Sequence, residues 1–308
     1  MQDTILQHPD LVAIHELSHL LNTKNILSIF QPIISLKTAE PFAFEALSRG
    51  PVTSPLHYPS ALFSTAERCN QLYTLEKVCR EKAIETAQSF LNNKVLFLNI
   101  SSQVIHDPSF TPGHTVKLLN EFNIQPHQVV FEITERSAIE DFTAFREVLH
   151  HYRAQGFQVA IDDAGAGYSS LQAISELTPE YIKVDRSLIC DVHKNEIKLG
   201  ILEAFVTFAK RMNSKVIAEG IETIEELEVV LQLGIEYGQG YLFAYPNYPV
   251  ASVSTNAKRA IQTFHNSPHQ NSSRTIIVKE NDKLLIVGNG SSPKSMYVKD
   301  IINQCVLI

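Results

Sequence analysis

The chain lacks the cysteine spacing of a zinc or redox centre. Its four cysteines, Cys69, Cys79, Cys190 and Cys305, are scattered with no Cys-x-x-Cys pair, so they read as reduced, mostly structural thiols. No apolar run approaches the roughly 18 residues that a membrane span requires. The opening MQDTILQHPD has neither the basic start nor the apolar core of a signal peptide. The expectation is a cytoplasmic protein with no membrane span. A basic excess is missing too: 26 Lys and Arg stand against 33 Asp and Glu, a formal charge of −7. That opposes a general DNA or RNA surface, which shows basic patches with interleaved aromatics. An anionic ligand would need local help from Arg, Lys or metal.

What is present is a globular pattern. With 44% hydrophobic and 19% charged residues, the composition excludes a disordered chain, and 308 residues suit one large α/β domain with an appendage or two small domains. Eight short β-branched or apolar runs read as strands: Ser28 to Ile34, Phe42 to Leu47, Val95 to Ile100, Val129 to Thr134, Gln158 to Ile161, Tyr181 to Val184, Lys215 to Ala218 and Tyr237 to Phe243. Helical patterns such as Phe142 to Ala154, Glu196 to Met212 and Ile224 to Leu233 lie between them. The alternation predicts α/β architecture, a (β/α)8 barrel of the triosephosphate isomerase kind, with a doubly wound open sheet as the alternative. Only Lys37 to Pro41 separates the first two strands, too short for a crossover helix, so the first strand is predicted antiparallel.

Around this barrel, expected over residues 27–247, residues 1–26 read as a leading helical segment, with Leu11, Ile14, Leu17 and Leu21 at helical spacing. Residues 248–273 read as a helix to Phe264 followed by a linker of composition HNSPHQNSSR. The final 274–308 suggest a β-hairpin and short helix, too small for a core of their own and so expected to pack on the barrel or on another chain.

In a barrel, the active site lies at the C-terminal ends of the strands. Those ends carry Glu45, Asn99, Glu132 with Glu135, Asp162 with Asp163, Lys183 with Asp185, Glu219 with Glu222, and Gln239. Carboxylates crowded in one mouth repel unless cations neutralise them. Oxygen donors without His or Cys suit hard cations such as Mg²⁺ or Mn²⁺, and adjacent Asp162 and Asp163 fit a carboxylate bridge between two ions that activate water on a phosphodiester. Each residue alone has a bland alternative. Glu45 and Asn99 serve equally as strand-end hydrogen bonders, and Glu132 and Glu135 as charges at a helix start. Asp162-Asp163 and Glu219 with Glu222 suit helix caps, Lys183 and Asp185 a surface ion pair, and Gln239 a backbone partner. Their joint placement after successive strands favours the functional reading.

The motifs FQPIISL, FEALSRG, LFLNIS, FEITERSAI, AIDDAGAGYSSL, YIKVDRSLI, VIAEGIET and GQGYLFAYP, over roughly residues 27 to 247, resemble the EAL domains, bacterial phosphodiesterases that linearise cyclic di-GMP. The resemblance implies that Glu45, Asn99, Glu132 and Asp162 hold one metal, and that Asp162, Asp163 and Glu219 serve a second. Glu219 is left as ligand or general base. It further implies that Lys183 holds the attacking water, Gln239 orients the metal-site water, Glu135 braces the loop after Asp163, and Glu222 supports the ligands from behind. Arg49 matches a phosphate contact, Leu47 packs beside the ligand, and Phe243 and Pro246 suit the guanine end, Phe243 as a stacking face, with simple burial as its alternative.

Where the family commonly reads DDFGTGYSSL this chain has DDAGAGYSSL, with Ala164 and Ala166 replacing an aromatic and a hydroxyl residue. A homodimer through this loop is also implied, its flexible Gly165 and Gly167 taking their order from a partner surface. Two rival functions remain: a catalytically inactive cyclic di-GMP receptor, and a Schiff-base aldolase using Lys183. The surrounding acids oppose the second, since they keep a lysine protonated.

Overall fold

The computed structural model describes residues 9–101, 113–134, 142–166, 170–267, 276–280, 283–287 and 294–297. Eight strands close a barrel in sequence order: β1 (Leu27–Ser35), β2 (Pro41–Arg49), β3 (Val95–Asn99), β4 (Val129–Thr134), β5 (Gln158–Ala164), β6 (Tyr181–Val184), β7 (Lys215–Ala218) and β8 (Tyr237–Gly238). Strand β1 runs antiparallel to both β2 and β8, while β2 to β8 pair in parallel. The short turn after β1 permits this hairpin, and each later crossover has room for helix.

The helices are α1 (Pro9–Thr23), α2 (Pro59–Arg68), α3 (Leu72–Ala87), α4 (His114–Glu121), α5 (Phe142–Ala154), α6 (Ser170–Leu177), α7 (Arg186–Ile189), α8 (Glu196–Met212), α9 (Ile224–Gln232) and α10 (Thr255–Asn266). Leu17 and Leu20 of α1 pack with Leu62, Leu75 and Val78 of α2 and α3 in one buried cluster. That burial gives the leading helix its place, although its Leu11 and Ile14 stay exposed. Strand β8 stops well short of Phe243, because the chain turns at Gly240, where a Cβ would collide with the backbone of Ile221.

The barrel interior is built in layers. Ile33, Ala43, Phe97, Val130, Ala160, Tyr181 and Ile217, one residue from each of β1 to β7, form a buried apolar layer. Side chains on a strand return to the same face every second residue. The next inward position toward the mouth is therefore Glu45, Asn99, Glu132, Asp162, Lys183 or Glu219 on the parallel strands, with Gln239 at the corresponding place after β8. On antiparallel β1 it is Gln31, two residues earlier.

The chain forms two compact units, residues 1–262 and 263–308. In the second unit, β9 (Ile276–Glu280), β10 (Lys283–Val287) and β11 (Lys294–Tyr297) make a three-stranded antiparallel sheet of order β11-β10-β9. The expected hairpin is β9 with β10; the stretch expected to carry the short helix begins at Ser295, and its first residues are strand β11 instead, while residues 298–308 lie outside those described.

Candidate metal centre at the barrel mouth

The polar layer converges on Lys183, which is 1% exposed. Its Nζ lies 2.7 Å from Glu132 Oε1, 2.7 Å from Glu219 Oε1, 3.0 Å from Asp162 Oδ1 and 3.5 Å from Glu45 Oε2. Burial by itself depresses a lysine, but Asp162, Glu132, Glu219 and Glu45 together outweigh it and hold Lys183 well above its ordinary pKa. A Schiff-base lysine needs the opposite shift, so the aldolase reading loses its chemistry.

One ammonium does not balance four acids. Burial pushes the Glu219 carboxyl up to about 8, with Lys183 opposing and Asp162 adding. It raises Glu132 well above the usual range, helped by Glu45, and lifts Asp163 to about 6, helped by Asp162 and Asp185. Glu132 Oε2, fully buried, has no hydrogen-bond partner among the described residues. Carboxylate oxygens of Asp162, Asp163 and Glu219 come within 4.8 Å of one another. Orphaned, hard oxygen donors in an over-acidic cleft fit divalent cations.

The cluster is braced on one side by amides. Gln239 Nε2 donates to Glu45 Oε2 at 2.6 Å and to Gln31 Oε1 at 3.0 Å, Gln31 donates to Ala244 O at 3.1 Å, and Asn99 Nδ2 donates to Glu45 Oε1 at 3.2 Å. Asp163 sits at φ +56°, an uncommon conformation for a non-glycine residue, at the end of β5. These contacts answer several bland alternatives. Lys183 is no surface ion pair; Asp185 instead caps α7, accepting from Ser187 N at 2.9 Å. Helix α9 is capped by Thr223 and Glu226, not by Glu219 or Glu222.

Beyond the cluster lies a cavity of about 440 Å³ whose walls include Leu47, Arg186, Glu222 and Tyr241. Glu222 is paired with Arg186 at 3.0 Å, and Gly220 between them and Glu219 has φ +65°, where a Cβ would strike the Arg186 side chain. Arg49 is half-buried and donates to Ser48 O at 2.9 Å. Pro246 is partly exposed. Phe243 corrects the expectation of a stacking face. It is 1% exposed, its ring within 3.3 Å of where a Cβ on Gly238 would lie, so it fills core. The open aromatic surface here is Tyr241 and Tyr245, stacked with centroids 4.4 Å apart. Glu135, Gly167 and the rest of the loop through residue 169 lie outside the described residues. Of the two departures noted, Ala164 is fully buried, while Ala166 is exposed and its N–H donates to Asp163 O at 3.1 Å.

The EAL domain model matches residues 14–246. The chain belongs to the EAL domain family. This EAL domain is 28% identical over 234 residues to the probable cyclic di-GMP phosphodiesterase PdeB of Escherichia coli, covering 75% of this chain and 44% of that protein. It is 31% identical to the E. coli blue light- and temperature-regulated antirepressor BluF, covering 70% and 53%. The chain thus spans about half the length of the curated relatives it matches. Among solved structures, the Klebsiella pneumoniae BlrP1 calcium/cy-diGMP complex aligns with TM-score 0.68 and 32% identity over 72% of this chain and 56% of that one. A standalone EAL protein from Vibrio cholerae O395 in its c-di-GMP bound form aligns with TM-score 0.68 and 29% identity, over 75% and 97%.

Proposed function

We propose that this chain is a metal-dependent phosphodiesterase that opens cyclic di-GMP to linear pGpG. The observation that carries the reading is the ring of acids around a buried, protonated Lys183 at the barrel mouth. Glu45, Asn99, Glu132 and Asp162 would hold one divalent ion, Mg²⁺ or Mn²⁺, and Asp162, Asp163 and Glu219 a second. Such ions lower the pKa of water and neutralise charge on the phosphodiester. Lys183, whose Nζ lies among Glu132, Asp162 and Glu219, would hold or polarise the attacking water. Glu219, with a carboxyl titrating near 8 before metal arrives, is suited to take the water's proton if it is not fully engaged as a ligand. Gln239 keeps Glu45 aimed; Arg49 meets a phosphate oxygen, Leu47 and Pro246 flank the ligand, and Glu222 holds Arg186 at the cavity wall. A homodimer through the loop after Asp163, ordering that residue, belongs to the same proposal. Relatives named for cyclic di-GMP hydrolysis and neighbours solved with this nucleotide support the substrate assignment.

The similarity to an antirepressor favours a second reading, a receptor that binds cyclic di-GMP and does not cleave it. Incubation of the purified chain with cyclic di-GMP and Mn²⁺, with chromatography of the products, separates the two. Metal-dependent pGpG is expected, and binding without product transfers the assignment to the receptor.

A further inference from the structure

Helix α1 contains no Lys or Arg, and its residues His15, Glu16, Leu17, Ser18 and His19 read His-Glu-x-x-His. Side chains four residues apart on a helix share one face, with Cβ atoms about 5–6 Å apart. Leu17 and Leu20 fix which face that is, because both are packed into the cluster on α2 and α3. At about 100° per residue, the two histidines point about 150° away from the mean direction of those leucines. Both are accordingly exposed. Among the described residues, no hydrogen bond or ion pair engages either imidazole. Two uncommitted nitrogen donors, held side by side on a helix that the core anchors, make half of a tetrahedral coordination shell.

We propose that His15 and His19 bind a divalent transition-metal ion, Zn²⁺ or the similarly nitrogen-seeking Cu²⁺ and Ni²⁺, at a site separate from the barrel mouth. Imidazole suits these ions, whereas the carboxylates of the mouth suit Mg²⁺ or Mn²⁺, so the chain sorts two classes of cation. Glu16 adds negative charge beside the pair, and α1 has no basic residue to repel the ion. The same spacing on a helix holds zinc in metallopeptidases, where a third protein ligand completes the site and the Glu works on water. A peptidase site is not built here. Among the described residues, the one group of three or more metal-binding side chains is Asp162, Asp163 and Glu219, so no third such ligand joins His15 and His19. Water or an incoming donor takes the remaining positions. Bound by the folded helix, the ion ties adjacent turns of α1 together and stabilises them. This site stands apart from cyclic di-GMP and its hydrolysis.

The test titrates the full chain with Zn²⁺ by calorimetry in excess Mg²⁺, which occupies the oxygen centre, and records the electron paramagnetic resonance spectrum with Cu²⁺ under the same conditions. The wild-type chain should bind Zn²⁺, melt at a higher temperature with it, and show Cu²⁺ coupled to two nitrogen ligands. His15→Ala and His19→Ala should each weaken Zn²⁺ by about 100-fold, the scale of losing one arm of a chelate, and should remove the two-nitrogen coupling. Both positions are exposed, so the fold and the metal-free melting temperature should stay as in the wild type. His19→Ala combined with Asn22→His keeps two imidazoles but sets them two turns apart, and should leave binding as weak as in His19→Ala. Unchanged Zn²⁺ affinity in both single variants overturns the proposal, as does recovery on adding Asn22→His, which would make the binding a matter of histidine number and not of spacing. Absence of Zn²⁺ binding by the wild-type chain in Mg²⁺ overturns it too. Failure to form pGpG leaves this site standing and removes only the phosphodiesterase reading.

Discussion

Lys183 stands alone as the positive charge among four carboxylates, and its replacement has a directional outcome. Lys183→Met should lower kcat for cyclic di-GMP by about 100-fold or more, the scale of proton-handling groups, while affinity changes little. Arg49→Ala should instead weaken binding, and calorimetry in a chelator shows whether the two effects divide this way; equal affinity losses contradict it. Phe243→Ala is expected to cost about 3–5 kcal/mol of stability, because a sealed ring leaves a cavity. Chemical denaturation checks this, and a near-normal midpoint would return Phe243 to the ligand. The sequence made the acids legible because carboxylates rarely follow strand after strand without a shared purpose. It did not reveal Phe243's burial, since YLFAYP places an aromatic at every second position, Tyr241, Phe243 and Tyr245, and only the turn at Gly240 decides which ring faces inward.

At the level of elements, the alternation of the strands explains both what was readable and what was missed. Counting two residues on from each apolar core position finds Glu45, Glu132, Asp162 and Lys183, since parallel strands all point their C-terminal ends at the mouth. Gln31 escaped because β1 runs the other way and the same step must be taken backwards. The burial of Glu76 and Arg80 escaped for a different reason: they sit on a helix, where charged residues at this spacing read as solvated surface. The loop after β7 depends on Glu226, whose carboxylate accepts from Asp191 N at 2.9 Å, Glu222 N at 2.9 Å and Thr223 N at 3.1 Å. Burial works against its charge, and these donors overcome it, holding the carboxyl below its usual range. Glu226→Ala should therefore cost on the order of 3 kcal/mol and loosen Glu219, readable as a lowered thermal midpoint with a raised metal requirement. A midpoint within a degree of wild type would count against this role.

Across the whole molecule, the crowded acids tie stability to pH and metal. Asp163 titrates near 6, and Glu219 and Glu76 near 8, all raised chiefly by burial. A carboxyl raised on folding contributes fully below its unfolded value, about 4, and that contribution fades as pH climbs through the folded value. Lys183, raised rather than lowered, stays protonated across this window and adds no slope. The metal-free chain should thus melt progressively lower from about pH 5 to pH 8, and Mn²⁺ at about 100 times its Kd should restore about 2.7 kcal/mol. A pH-independent midpoint in chelator contradicts the charge assignment. Assembly is tested by light scattering with parallel activity measurements: a dimer whose dissociation lowers specific activity is expected, and a monomer of constant activity at every concentration sinks it. The reversed direction of β1 also has a mechanical consequence. Its first residue, Leu27, stands opposite Arg49 at the end of β2, so the backbone enters the barrel on the catalytic side rather than beneath it. The joint just before it is anchored to α3, where Lys24 meets Glu81 at 2.6 Å, one helical turn beyond Glu76 and Lys77 and next to Arg80. A pull or twist along α1 would therefore reach the barrel at the rim that carries Arg49, and not at its apolar floor.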